Sequence, residues 1–133
     1  MDYGRFQQRT AGTSRPTVLV VDDQVDLRDA IAVLLESEGY AVVDAANGRE
    51  ALKYLQNGTN VTAIVLDLMM PVMDGWQFLA EQRRNAEWSR IPTIVVTGVA
   101  EPKRRSEELG DLAVFVKPFH FDELMAELRR ALR

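Results

Sequence analysis

Short apolar runs rich in β-branched residues recur along the chain, and each ends on a polar group. Val18-Leu-Val-Val21 precedes Asp22-Asp23, and Val61-Thr-Ala-Ile-Val-Leu66 precedes Asp67. Thr93-Ile-Val-Val96 precedes Thr97, and Val114-Phe-Val116 precedes Lys117-Pro118. Runs of this length and composition read as strands buried on both faces of a parallel sheet. Between them the apolar spacing becomes helical. Val25, Leu27, Ile31, Leu34 and Leu35 share a face that Gly39 ends, and Ala51, Leu52 and Leu55 mark a short helix from Gly48 to Leu55 closed by Asn57-Gly58. A helix bearing Trp76, Phe78 and Leu79 follows the loop with Pro71 and Asp74-Gly75, and a last helix from Phe121 to Leu132 turns Leu124, Met125, Leu128 and Leu132 inward. The strands are expected at Thr17 to Val21, Tyr40 to Ala45, a third reaching Leu66 or Asp67, Pro92 to Val96, and Leu112 to Val116. A polar helix near Lys103 to Leu109, with few apolar residues, should be short and loosely packed.

Five strands alternating with five helices imply an α/β, doubly wound (βα)5 fold with right-handed crossovers and helices on both faces of the sheet. The expected strand order is the flavodoxin-like 2-1-3-4-5, which makes the carboxyl ends of strands one and three neighbours. Asp22, Asp23 and Asp67 then meet at one crevice, with Thr97 and Lys117 arriving from the next strands. Residues 16 to 133 form the single expected domain. Residues 1 to 15 mix Gly, Gln, Arg, Thr and Ser without periodicity and read as a flexible tail.

Composition narrows the class rather than the function. Apolar residues are 47% and charged residues 27%, ordinary for a soluble globular protein. No apolar stretch approaches the roughly 20 residues that span a bilayer, and the N-terminus lacks a secretory pattern. The chain has no cysteine, which removes disulfides and thiolate metal sites and fits a cytoplasmic location. A net charge of −4 argues against a nucleic-acid partner.

Carboxylates about 4 Å apart repel by about 4 kcal/mol at an effective dielectric near 20. A lysine, protons or a hard cation must offset that. Oxygen ligands without His or Cys favour Mg²⁺ or Mn²⁺ over zinc. Helix capping by Asp22 and Asp23 is the bland alternative, but it explains one aspartate and not two. Asp67, at the end of the central strand, can act as ligand, base or nucleophile toward phosphorus. Lys117 suits a point charge opposite a phosphoryl group, and Thr97 a hydroxyl donor to one of its oxygens.

These motifs, taken in order, resemble response-regulator receiver domains of two-component signalling. The matching segments are Val20-Val-Asp-Asp23, Asp67-Leu-Met-Met-Pro-Val-Met-Asp-Gly75, Ile94-Val-Val-Thr-Gly98 and Val116-Lys-Pro-Phe119. The resemblance implies that Asp67 accepts a phosphoryl group from a sensor histidine kinase or a histidine phosphotransfer protein. It also implies that Asp22, Asp23, Asp67 and the Met69 backbone carbonyl hold Mg²⁺ (or Mn²⁺), that Thr97 is a switch hydroxyl and that Lys117 pairs with the phosphoryl group. Pro118 would follow a cis peptide. The likeness is to stand-alone receivers of the chemotaxis type, so output is expected through an unknown downstream protein or a phosphorylation-dependent homodimer. Catalysis would be limited to self-phosphorylation and self-dephosphorylation; apolar Met69 and Val99, flanking the phosphoryl group in the resemblance, should hinder an attacking water and slow the dephosphorylation. A receiver-like constitutive binding module and a receiver fragment of a larger hybrid kinase or regulator are the alternatives.

One departure stands out. Where such domains commonly carry Tyr or Phe, three residues before the lysine, this chain has Val114, and strand alternation turns Phe115 to the opposite face. An aspartyl-phosphate phosphatase would want a second acid two residues past the nucleophile, where Met69 stands. A flavin carrier would want a hydroxyl- and glycine-rich loop where Asp22-Asp23-Gln24 stands.

Overall fold

In a computed structural model of the chain, residues 15–98 and 106–132 are described. Residues 1–14 of the expected tail, Val99, Pro102 and Lys103-Arg-Arg105 lie outside them, as does Arg133. Five parallel strands run in the order β2-β1-β3-β4-β5: β1 Thr17–Val21, β2 Ala41–Ala45, β3 Ala63–Asp67, β4 Thr93–Thr97 and β5 Val114–Val116. Around them lie α1 Val25–Ser37, α2 Gly48–Gln56, α3 Gly75–Arg83, α4 Ser106–Leu109 and α5 Phe121–Ala131, with a 3₁₀ turn at Trp88–Arg90. The order 2-1-3-4-5 and the α/β class agree with the expectation from sequence.

Strand alternation divides the core in two. Leu19, Val21, Ile64, Leu66 and Val95 point to the side carrying Ala51, Leu52 and Leu55 of α2, Phe78 and Leu79 of α3, and Leu109 of α4. Val18, Val20, Ala63, Val65, Ile94 and Val96 face Ile31 and Leu35 of α1 and Leu124, Met125 and Leu128 of α5. β1 from Val18 to Val21 and β3 from Ile64 to Leu66 have no exposed surface at all. Truncating such a side chain to Ala costs about 2–5 kcal/mol. These two strands are thus fixed on both faces, and so are the residues that end them.

Several boundaries differ from the sequence reading, each for a local reason. β4 begins at Thr93, not Pro92, because proline has no N–H for the ladder; its carbonyl still accepts from the Ile64 N–H at 2.9 Å. The last described residue of β4 is Thr97 rather than Val96, and it pairs with Val116. β5 is three residues long and starts at Val114; Leu112 instead closes a turn onto Leu109. The 3₁₀ turn has no counterpart in the sequence pattern: Asn85 Oδ1 accepts the Glu87 and Trp88 N–H groups, and buried Gln82 Nε2 holds the Trp88 carbonyl at 2.9 Å.

α3 is started by a reciprocal cap. Asp74 Oδ1 accepts the Gln77 N–H at 2.8 Å, and Gln77 Oε1 accepts the Asp74 N–H at 2.9 Å. Its first residue, Gly75, lies against the end of β3, where a Cβ would sit 2.3 Å from the Asp67 carbonyl oxygen and 2.7 Å from Leu68 Cα. Both obstacles are backbone and cannot rotate away. Gly75→Ala should therefore lower unfolding free energy by about 3 kcal/mol, the upper range for overpacking, read as a lower urea midpoint at unchanged slope.

Candidate functional site

Asp22, Asp23 and Asp67 converge where the sheet order reverses between β1 and β3. Carboxylate oxygens from the three can be chosen within 4.8 Å of one another. Asp22 has no exposed surface and Asp67 3%, whereas Asp23 faces solvent. Lys117 reaches in from the end of β5, through a cis peptide to Pro118. Its Nζ lies 2.8 Å from Asp22 Oδ2 and 3.4 Å from Asp67 Oδ2. A third acceptor, Gln24 Oε1, is at 2.8 Å.

The capping alternative for the aspartate pair does not hold. The N-cap of α1 is Gln24, which makes no side-chain cap bond. Asp22 is instead held at all four polar atoms. Its N–H donates to the Ala45 carbonyl at 3.0 Å, and its carbonyl accepts from Arg28 Nη1 at 2.6 Å. Oδ1 accepts the Gln24 N–H at 2.8 Å, and Oδ2 faces Lys117. Arg28 is itself mostly buried and lies 3.6 Å from Asp44 at the end of β2. Neither Gln24 nor Arg28 stands out from the sequence pattern. For Arg28 a signal exists, an arginine one turn into the apolar-faced first helix.

The loop after β3 shapes the other wall. Met69 donates its N–H to Asp67 Oδ1 at 3.2 Å, while its side chain is exposed. Val72 takes φ +71° beneath a 2.8 Å bond from the Met73 N–H to the Pro71 carbonyl, a tight γ-turn that a β-branched residue enters only under strain. The turn is pinned to α2, because the Gly48 N–H donates to the Met73 carbonyl at 2.8 Å. On the far side, Thr97 is fully buried at the end of β4, and its carbonyl accepts the Lys117 N–H at 2.8 Å. The structure thus brings Asp22, Asp23, Asp67, Thr97, Met69 and Lys117 to one end of the sheet. His120, at the start of α5, takes no part in these contacts. Val114 packs with the α2–α4 side of the core and Phe115 with the α1–α5 side, as strand alternation requires.

Burial, and secondarily the neighbouring Asp22 carboxylate, push the Asp67 carboxyl above its usual range; the Met69 N–H and Lys117 oppose the shift without cancelling it. Three carboxylates against one ammonium leave a formal −2, which one hard dication would balance. The all-oxygen donor set fits Mg²⁺.

The sequence matches the family profile described as the response regulator receiver domain over residues 18–129. The chain belongs to this family. Receiver domains are two-component signalling modules that bind Mg²⁺ at their acidic pocket and interact with histidine kinases or phosphotransfer proteins. This receiver is 38% identical over 120 residues to the response regulator Rre1 of Synechocystis sp., covering 87% of the chain and 51% of Rre1. It therefore spans about half the length of the curated relatives it matches. Among solved structures, the chemotaxis response regulator CheY4 of Vibrio cholerae superposes with TM-score 0.79 at 33% identity, covering 90% of this chain and 100% of that one. The response regulator TrrA of Thermotoga maritima, in complex with Mg²⁺-BeF, superposes with TM-score 0.78 at 31% identity, covering 88% and 99%. Among the described residues no helix is long and apolar enough to cross a membrane.

A raised folded-state pKa means that Asp67 favours folding only while protonated, and that this contribution is lost as pH rises through the raised value. In metal-free buffer Asp67→Asn should therefore melt above wild type at pH 7. The gap should close as pH falls from the raised folded value to the unfolded value of 3.8, which thermal scans across pH would show.

Proposed function

We propose that this receiver is a phosphorylation switch in which Asp67 is the phosphoacceptor. The observation that carries the reading is Lys117 Nζ lying between the buried Asp22 and Asp67 carboxylates, 2.8 and 3.4 Å away, at the mouth of the crevice. An Asp67 Oδ lone pair would form the new O–P bond. The P–N bond to the donor histidine breaks as it forms, and its electron pair stays on the imidazole nitrogen. Lys117 would turn toward a phosphoryl oxygen as negative charge accumulates there. The Thr97 hydroxyl would bind another oxygen, and its movement would shift a pre-existing equilibrium of the segment after β4.

Asp22, Asp23, Asp67 and the Met69 carbonyl would hold Mg²⁺, with Mn²⁺ an acceptable substitute on the same oxygen donors. When bound, the ion would neutralise charge on the transferring group. The TrrA complex with Mg²⁺-BeF supports that assignment. We read the domain as a cytoplasmic signalling module without catalysis beyond its own phosphorylation and dephosphorylation. Its donor would be a sensor kinase or phosphotransfer protein. Its output would pass to a downstream protein, a phosphorylation-dependent homodimer or a further domain, and not to nucleic acid or membrane directly. Val114 favours one second reading: without a ring to follow Thr97, the domain would bind its partner constitutively.

Incubation with phosphoramidate and Mg²⁺ should add one phosphoryl mass to the intact protein. The adduct should be lost with chelator, absent in Asp67→Asn, and slowed at least tenfold in Lys117→Met, the scale of one lost charge contact at a transition state. Thr97→Ala should still be labelled but should lose any phosphorylation-dependent change in partner binding or oligomeric state. If neither phosphoramidate nor a cognate kinase labels Asp67, the switch reading fails and the constitutive one stands.

A further inference from the structure

An ammonium has three N–H donors. All three on Lys117 are engaged: Asp22 Oδ2 at 2.8 Å, Gln24 Oε1 at 2.8 Å and, more loosely, Asp67 Oδ2 at 3.4 Å. Lys117 therefore has no donor to offer an incoming phosphoryl oxygen until one acceptor lets go. The three are not equivalent. The contact to fully buried Asp22 is a short, charge-assisted one, stronger than a bond to a neutral amide. Releasing Asp67 would give up the group on which the phosphoryl forms. Gln24 is neutral and exposed, so water can solvate its amide once the bond breaks. Nor does capping compete for its side chain, because Gln24 is the N-cap residue of α1 yet makes no cap bond.

We propose that Gln24 is a resting-state latch on Lys117, the acceptor that a phosphoryl oxygen displaces. The proposal rests on the phosphoryl-transfer reading above and adds a positioning residue to it. Gln24 would not touch the reacting atoms; it would hold the lysine toward the β1–α1 loop, so that each transfer begins with the exchange of one neutral bond. The latch opposes transfer. Removing the acceptor should therefore speed phosphorylation, and replacing it by a charged acceptor should slow it.

The test compares wild type, Gln24→Leu, Gln24→Met and Gln24→Glu. Label incorporation from phosphoramidate is followed at Mg²⁺ concentrations shown to be saturating for each protein, in about 0.5 M salt to screen long-range charge effects on the donor. The two apolar variants are expected to be labelled about fivefold faster than wild type, the scale of one exposed hydrogen bond to a charged group. Gln24→Glu should be slower by a similar factor. A merely structural role for Gln24 could only slow the reaction, so the sign decides. Apolar variants no faster than a normally labelled wild type overturn the latch and leave the phosphoacceptor reading standing. A wild type that takes label neither from phosphoramidate nor from a cognate kinase overturns both.

Discussion

Everything in this domain is arranged around two carboxylates that must lie side by side in a place water hardly reaches. Asp22 and Asp67 end adjacent parallel strands whose preceding residues are buried on both faces, so neither can retreat. At an effective dielectric near 20, charges about 4 Å apart repel by about 4 kcal/mol, and burial adds to that cost. Lys117 offsets part of it. The Asp67 carboxyl is nonetheless held above its usual range, so the lysine does not fully compensate. A site that strains against its own charge is one in which a dication or a change in charge on Asp67 has large leverage.

The fold supplies the stiffness this requires. The two halves of the core clamp β1 and β3 from opposite sides. Asp22 is bonded at every polar atom, by Ala45 of the neighbouring strand, by Arg28 and Gln24 of the following segment, and by Lys117 from across the sheet. Asp67 is pinned differently: its backbone is pressed by Gly75, and one carboxylate oxygen by the Met69 N–H. Its other oxygen is held by the longer lysine contact, at 3.4 Å against 2.8 Å for Asp22, so Asp67 is the more yielding of the pair. That asymmetry suits a metal-holding role for Asp22 and a reactive one for Asp67.

The strand order and the meeting of Asp22, Asp23, Asp67, Thr97 and Lys117 were legible in the sequence because they depend on strong, local signals. β-branched runs mark strand interiors, and residues at their ends have one place to go in a doubly wound sheet. Val114 and Phe115 could be assigned to opposite faces by parity alone. What escaped was tertiary detail carried by side chains with weak local signatures. Gln24 reads as an ordinary polar residue at a helix start; its partner is 93 positions away. Arg28 sits on the apolar-faced first helix, a signal in itself, but its partner is a backbone carbonyl that residue types do not name. Gln82 organises the 3₁₀ turn from inside the core, against the habit of glutamine to stay outside. The cap formed by Asp74 and Gln77 does have a local signature, an acid followed three residues later by an amide, but a short one that many loops share.

The missing aromatic bears on how a signal would leave the site. A ring at position 114 would give the buried Thr97 a bulky follower; valine is short and packs into the α2–α4 side of the core with Leu109. The described connection between Thr97 and the neighbouring strand is the ladder itself. Thr97 is paired with Val116, and its carbonyl accepts the N–H of Lys117, the residue whose ammonium faces Asp67. A hydroxyl drawn toward a phosphoryl group would thus pull on the backbone that also carries the lysine. Two of the three proposed phosphoryl contacts would move as one unit. Downstream of Lys117, the cis peptide leads to Phe119, whose ring meets Phe115 at a tilt and Phe121 edge-on, on the α1–α5 side. In this chain, then, the aromatic cluster next to Lys117 lies on the face opposite Val114. A shift of the β4–β5 ladder would reach the start of α5 through that cluster.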